Sequence, residues 1–151
     1  MSEAANTPVP HEYVTHVDHV GVAVPDLDAA LEFYRESLGW VAHHTETNEE
    51  QGVRESMVGP KNMPENGAMV QLLAPLNEES TIAKFIGKKG PGLQQYAVRV
   101  TDIDALMEHL ASVGTRVLYP QPKRGTAGSR INFIHPKDAG GVLLELVEPA
   151  K

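Results

Sequence analysis

The chain has 151 residues, 41% of them hydrophobic, which suits one domain of ordinary size or two small modules that share a core. A formal net charge of -7 argues against nucleic acid or an anionic membrane as the main partner, because both attract basic surfaces. With no cysteine there is no disulfide, thiolate metal site or cysteine nucleophile, as fits a reducing compartment. The opening MSEAANTPVPHEYV lacks the basic start and apolar run of a secretory signal, and no later stretch has about 18 apolar residues in a row. A soluble, cytoplasmic protein with a flexible tail over residues 1–14 is expected. Next comes an alternating strand, HVGVAV, and an Asp-rich link that caps a helix. In that helix Leu27, Leu31, Tyr34 and Leu38 fall at helical spacing, and Gly39 ends it. Strands are predicted near 40–46, 53–59 and 68–74, then a short linking helix around Thr81 to Gly87 within a linker of about 78–89. A second helix carries Ile103, Met107, Leu110 and Val113 and closes at Gly114, with strands near 116–119, 130–135 and 142–147.

The two halves repeat. HVGVAVPDLDAALE (19–32) matches QYAVRVTDIDALME (95–108) at a constant offset of 76, with valine, aspartate, alanine and glutamate coinciding. GAMVQLLAP (67–75) matches GVLLELVEP (141–149) at an offset of 74. The unit is βαβββ, used twice, so the fold class is α+β. One domain spans 15–151, with module one at about 15–76 and module two at about 90–150.

The repeat makes His19 equivalent to Gln95 on the opening strands, and Gln71 equivalent to Glu145 on the closing strands. Each sits inside an apolar run, where an amide or carboxylate needs a partner or a cation. A pseudo-two-fold axis would bring the four to one point. One imidazole, one carboxylate and two amide oxygens suit a divalent ion in octahedral geometry.

These residues resemble the vicinal oxygen chelate superfamily and, within it, the methylmalonyl-CoA epimerases. The likeness runs through DHVGVAVPDLDAALEFYRESLGW, NEEQGVRESM, QLLAPLNEESTIAKF, GPGLQQ and VLYPQPKRGTAGSRINFIHPKDAGGVLLELVEP. It implies a cupped mixed sheet around a metal site, methylmalonyl-CoA as substrate and a homodimer. It also implies His19, Gln71, Gln95 and Glu145 as ligands of a divalent ion such as Co, Mn, Zn, Ni or Mg. The commonest pattern in that family has two histidines where this chain has Gln94 and Gln95, so here an amide oxygen replaces an imidazole nitrogen.

Epimerisation removes the proton between a thioester and a carboxylate and returns one to the opposite face, which calls for two acid/base groups. The resemblance nominates Glu55 and Glu145, with Gln51, Lys123, Arg124, Ser129 and Arg130 on the substrate side. The strand pattern puts Val53 and Glu55 on one face and Arg54 on the other. Two environments for Glu55 remain open: an apolar one that shifts its pKa, or an exposed strand with Arg54 or a neighbour as partner. Lys123, Arg124 and Arg130 are placed to meet CoA phosphates or the substrate carboxylate, or else lie in a solvated loop. His43 and His44 face opposite ways and read as surface histidines, while His135 supports a turn. The competing functions are a glyoxalase-type isomerase and a metal-free binding protein of the drug-sequestering kind. An Fe(II) dioxygenase is disfavoured, because its usual two-histidine, one-carboxylate site lacks a histidine here.

Overall fold

A computed structural model describes residues 9–151. The chain forms two compact units: His19–Gln95, and Tyr96–Lys151 together with the described residues up to Asp18. Their boundaries fall inside strands β1 (Val14–Ala23) and β5 (Gly92–Val100), so each strand contributes residues to both units. The sequence repeat, by contrast, divides the chain between about 76 and 90.

In the unit His19–Gln95, β1 is followed by α1 (Leu27–Leu38), β2 (Val41–Asn48), β3 (Val53–Gly59), β4 (Met69–Pro75) and α2 (Thr81–Lys89). The strand order is β2-β3-β4-β1, with β1 parallel to β4 and the other pairs antiparallel. Helix α1 starts where Asp26 accepts a hydrogen bond from the Ala29 amide at 3.2 Å, a cap worth about 1 kcal/mol. It stops at Gly39, whose φ of 69° is accessible at little cost only to glycine, and whose N–H returns to Arg35 O. The strand face beneath α1 is apolar: Val58, Leu72 and Ala74 pack with Leu27, Leu31, Tyr34 and Trp40. Leu72 is fully buried, so truncating it costs about 2–5 kcal/mol. At the end of the helix pattern Leu38 stays half exposed.

The second unit holds α3 (Ile103–Ser112), β6 (Lys123–Arg124), β7 (Arg130–Ile134) and β8 (Leu143–Glu148), with strand order β5-β8-β7-β6. Its helix is capped as α1 is, by Asp102 on the Ala105 amide at 3.0 Å. Ile103, Leu106 and Met107 pack with Val100, Ile134 and Leu146. A second cluster joins Ala97, Ile131, Phe133 and Val147. The repeat reaches an ion pair as well. Arg54 on β3 meets Asp28 on α1, and Arg130 on β7 meets Asp104 on α3, each pair carried 76 residues along.

The strand expected over 116–119 is reduced to one bridge, Val117 with Ile134, beside a bond from Leu118 N to Phe133 O. Its continuation is blocked by a side chain. Asn132, fully buried, accepts from Tyr119 N at 3.1 Å and donates to Tyr119 O at 3.0 Å, occupying both ladder groups, and Pro120 and Pro122 follow. The second strand of this half in chain order is instead the two-residue β6. Of the segment expected as a tail, residues 1–8 lie outside those described. His11–Tyr13 form a single 3-10 turn, tied down by Thr101, which donates to Tyr13 O at 3.0 Å and to Glu12 O at 2.8 Å. No helix among the described residues is long and apolar enough to cross a membrane.

Candidate active site

Strand alternation and register gather the polar residues of the unit His19–Gln95. On β1, His19, Gly21 and Ala23 lie opposite Met69, Gln71 and Leu73 of β4, and on β3 Glu55 and Met57 lie opposite Leu73 and Gln71. Directly opposed residues share a face. His19, Gln71 and Glu55 therefore stand on the same side, the one turned away from α1. Ile82, Phe85 and Ile86 of α2 cover one end of it, against Ala23, Val53 and Leu73.

All three polar groups are deeply buried, His19, Glu55 and Gln71 each at 3% exposure, and Gln95 joins them at 8%. They make a directed chain. Gln95 Nε2 donates to Gln71 Oε1 at 3.2 Å, and Gln71 Nε2 donates to Glu55 Oε2 at 3.1 Å. Gly21 makes room for it: a Cβ there would lie 2.6 Å from Gln95 Cγ and 3.1 Å from Gln95 Nε2. The glycine was not singled out in the sequence, although an isolated glycine inside a strand pattern marks close approach of another group.

Of the two environments open for Glu55, the buried one is found. Arg54 points away and meets Asp28 of α1 at 3.4 Å. Across the next strand pair Glu55 is opposite Glu46, whose carboxylate is 2.8 Å from His44 Nε2. His44 and His43 are exposed, the latter bonded to Pro60 O at 2.7 Å. His135 Nδ1 accepts from Lys137 N, supporting the Pro136–Asp138 turn.

In the other unit Glu145 is buried on β8, opposite Phe133 of β7. The remaining candidates separate. Ser129 is buried, and its Oγ is the only buried side-chain polar atom without a hydrogen-bond partner among the described residues. Arg130 is held by Asp104 through two bonds of 3.0 Å and by Glu148 at 3.4 Å. The hydrogen bonds to Asp104 raise the Arg130 pKa, and the same bonds lower that of Asp104. This guanidinium is committed to its own fold, a tie that the basic loop sequence did not reveal. Glu148 also anchors the start of α3, where its other oxygen accepts from Ile103 N at 2.8 Å. Lys123 and Arg124 are exposed on β6, with Lys123 Nζ 5.0 Å from the centre of the Tyr119 ring. Gln51 lies in the turn before β3, its backbone N–H bonded to Asn48 Oδ1.

The donor set fits an oxygen-preferring cation better than a soft metal. Among the described residues no cluster of three His, Cys, Asp or Glu side chains is placed to hold a metal, and the buried polar face offers one imidazole, one carboxylate and two amides.

Residues 18–133 match the Glyoxalase/Bleomycin resistance protein/Dioxygenase superfamily. The chain belongs to this superfamily. Its mixed α+β architecture and twice-used βαβββ order, read first from the repeat, are those of the superfamily fold. The crystal structure of methylmalonyl-CoA epimerase from Mycobacterium tuberculosis is 54% identical with a TM-score of 0.87, covering 97% of this chain and 96% of that one. A methylmalonyl-CoA epimerase in complex with methylmalonyl-CoA and NH4+ is 47% identical with a TM-score of 0.85, covering 91% and 96%. The mitochondrial methylmalonyl-CoA epimerase of Homo sapiens is 35% identical over 151 residues, 95% of this chain and 83% of the human one.

Proposed function

We propose that this protein is a methylmalonyl-CoA epimerase, interconverting the two C2 epimers by proton removal and return through an enolate. The observation that carries the reading is Glu55, a carboxylate buried on the strand face it shares with His19 and Gln71 and held by an amide, in a chain 54% identical to an epimerase of solved structure. Glu55 takes the C2 proton on one face of the substrate. Glu145 is the second acid/base group, returning a proton on the other.

His19, Gln71, Gln95 and Glu145 are the residues that would hold a divalent cation. When bound, it supplies positive charge against the developing enolate oxygen. Oxygen-rich ligation points to Mg or Mn ahead of Zn, with Co intermediate. Ser129, whose hydroxyl has no hydrogen-bond partner among the described residues, is the strongest substrate-side candidate. Lys123, Arg124 and Gln51 are assigned to the phosphates or acyl chain, and Arg130, whose side chain is 45% exposed while paired with Asp104, is assigned with them. The setting we infer is a cytoplasmic homodimer, which light scattering tests.

Over a glyoxalase-type isomerase or a metal-free binding protein, the reading is favoured by relatives that are epimerases across most of their length. The test is incubation of one epimer of methylmalonyl-CoA in D2O, with and without EDTA, following deuterium at C2 and stereochemical purity. Metal-dependent exchange with racemisation is expected, and Glu55→Gln should lose exchange from one face. Absence of exchange after loading with Co, Mn, Zn or Mg would overturn the epimerase reading.

A further inference from the structure

Glu55 is assigned above to the proton transfer, yet its hydrogen bond runs to Gln71, an intended cation ligand. An ionised carboxylate has no hydrogen to give and only accepts. An amide flipped at Gln71 would set its oxygen against that carboxylate, oxygen to oxygen, in a buried place. Gln71 must therefore present Nε2 to Glu55 and turn Oε1 the other way. Gln95 agrees with this direction, since its Nε2 donates to Gln71 Oε1. The bonds run from Gln95 to Gln71 and from Gln71 to Glu55, and in the ionised form that proton removal requires of a base Glu55 can only accept.

We infer that Glu55 is, besides its proton-transfer role, the positioning residue that fixes which atom of Gln71 is offered to the cation. A histidine ligand is commonly oriented by a carboxylate on its second nitrogen, and loss of such a partner weakens binding about 10- to 100-fold. Here the same arrangement serves an amide. Amides need it more, because the two ends of the group differ by only one atom and a half-turn exchanges ligand for donor. The inference rests on Gln71 being a ligand, as the proposed function has it.

The test reads affinity, not turnover. Mn is titrated calorimetrically into metal-free wild type, Glu55→Gln, Gln71→Glu and the double variant. A glutamine at 55 both donates and accepts, so it permits either orientation of Gln71, and Mn affinity should fall about 10-fold or more. In the Gln71→Glu background the ligand offers an oxygen whichever way it turns, and nothing remains to orient. There, Glu55→Gln should leave Mn affinity unchanged or raise it. Equal loss in both backgrounds would mean that Glu55 acts only through its charge and would overturn the inference. Failure of the wild type to bind Mn would instead strike the cation reading on which it rests, so the two failures are told apart.

Discussion

Alanine at Gly21 tests the packing that holds the amide chain. The added Cβ would sit 2.6 Å from Gln95 Cγ and 3.2 Å from Leu73 Cδ1. Carbon atoms are comfortable at about 3.5–4.0 Å, so the Gln95 side chain has to retreat by about 1 Å. Its bond to Gln71, already 3.2 Å, would stretch past hydrogen-bonding range. Overpacking costs about 1–3 kcal/mol and the lost bond about 1 kcal/mol. Against that, glycine at position 21 has no left-handed backbone to protect, so alanine returns about 0.4–1 kcal/mol by restricting the unfolded chain. A net loss of about 1–3 kcal/mol follows, seen in urea unfolding and as a fall in Tm of about 2–4 °C per kcal/mol for a chain of this size. The decisive comparison is made in a Gln95→Ala background, where the 2.6 Å clash is gone, only the 3.2 Å approach to the Leu73 side chain remains, and Gly21→Ala should cost far less than in the wild type. If it destabilises both backgrounds equally, Gln95 is not what the glycine accommodates.

Three further outcomes separate the roles assigned to the second unit. Ser129→Ala should leave stability within about 0.5 kcal/mol, since the hydroxyl has no hydrogen-bond partner among the described residues, while raising KM for methylmalonyl-CoA; an unchanged KM would remove Ser129 from the substrate side. Glu148→Ala leaves the Ile103 N–H unpaired and Arg130 with one carboxylate, and should cost about 1–3 kcal/mol in urea unfolding with KM little changed. Asp138 is held well below the usual carboxylate range by its hydrogen bonds to Arg116. Its contribution is therefore complete above the unfolded-state pKa and is lost as acid protonates the folded carboxyl. Asp138→Asn should lower Tm at neutral pH and converge with the wild type as pH falls; a gap that stays constant into strong acid would refute the assignment.

The fold was legible because its signals are local. Asp26 and Asp102 cap their helices three residues ahead, and the apolar spacing of α1 and α3 is contained in one turn after another. Burial of His19, Gln71, Gln95 and Glu145 followed from polar residues set within apolar runs. What stayed hidden depends on which strand lies beside which. No reading of GPGLQQYAVRV alone reveals that the partner of Gln95 is Gln71, or that Gly21 clears its path. Arg130 looked available because the two carboxylates that hold it lie 26 and 18 residues away. The strand near 116–119 failed for the same reason: the amide that occupies its ladder positions comes from Asn132, on β7.

The glutamine at position 95 also bears on why this face tolerates so much buried polarity. Each polar group removed from water without a partner costs about 1–3 kcal/mol, and four strands contribute buried polar groups here, through His19, Glu55, Gln71 and Gln95. An amide can donate and accept at once from two separate atoms, so Gln71 satisfies two neighbours where a thioether, with no hydrogen to give, would leave one wanting. A chain of that kind needs an end that only accepts, and Glu55 supplies it from within VRESMVG, a strand otherwise suited to the core. Local sequence preference is violated at that residue, and such violations persist where function requires them. The carboxylate that fits its strand least well accepts from Gln71, which in turn accepts from Gln95, and under the proposed assignment the base and the orienting group are one residue.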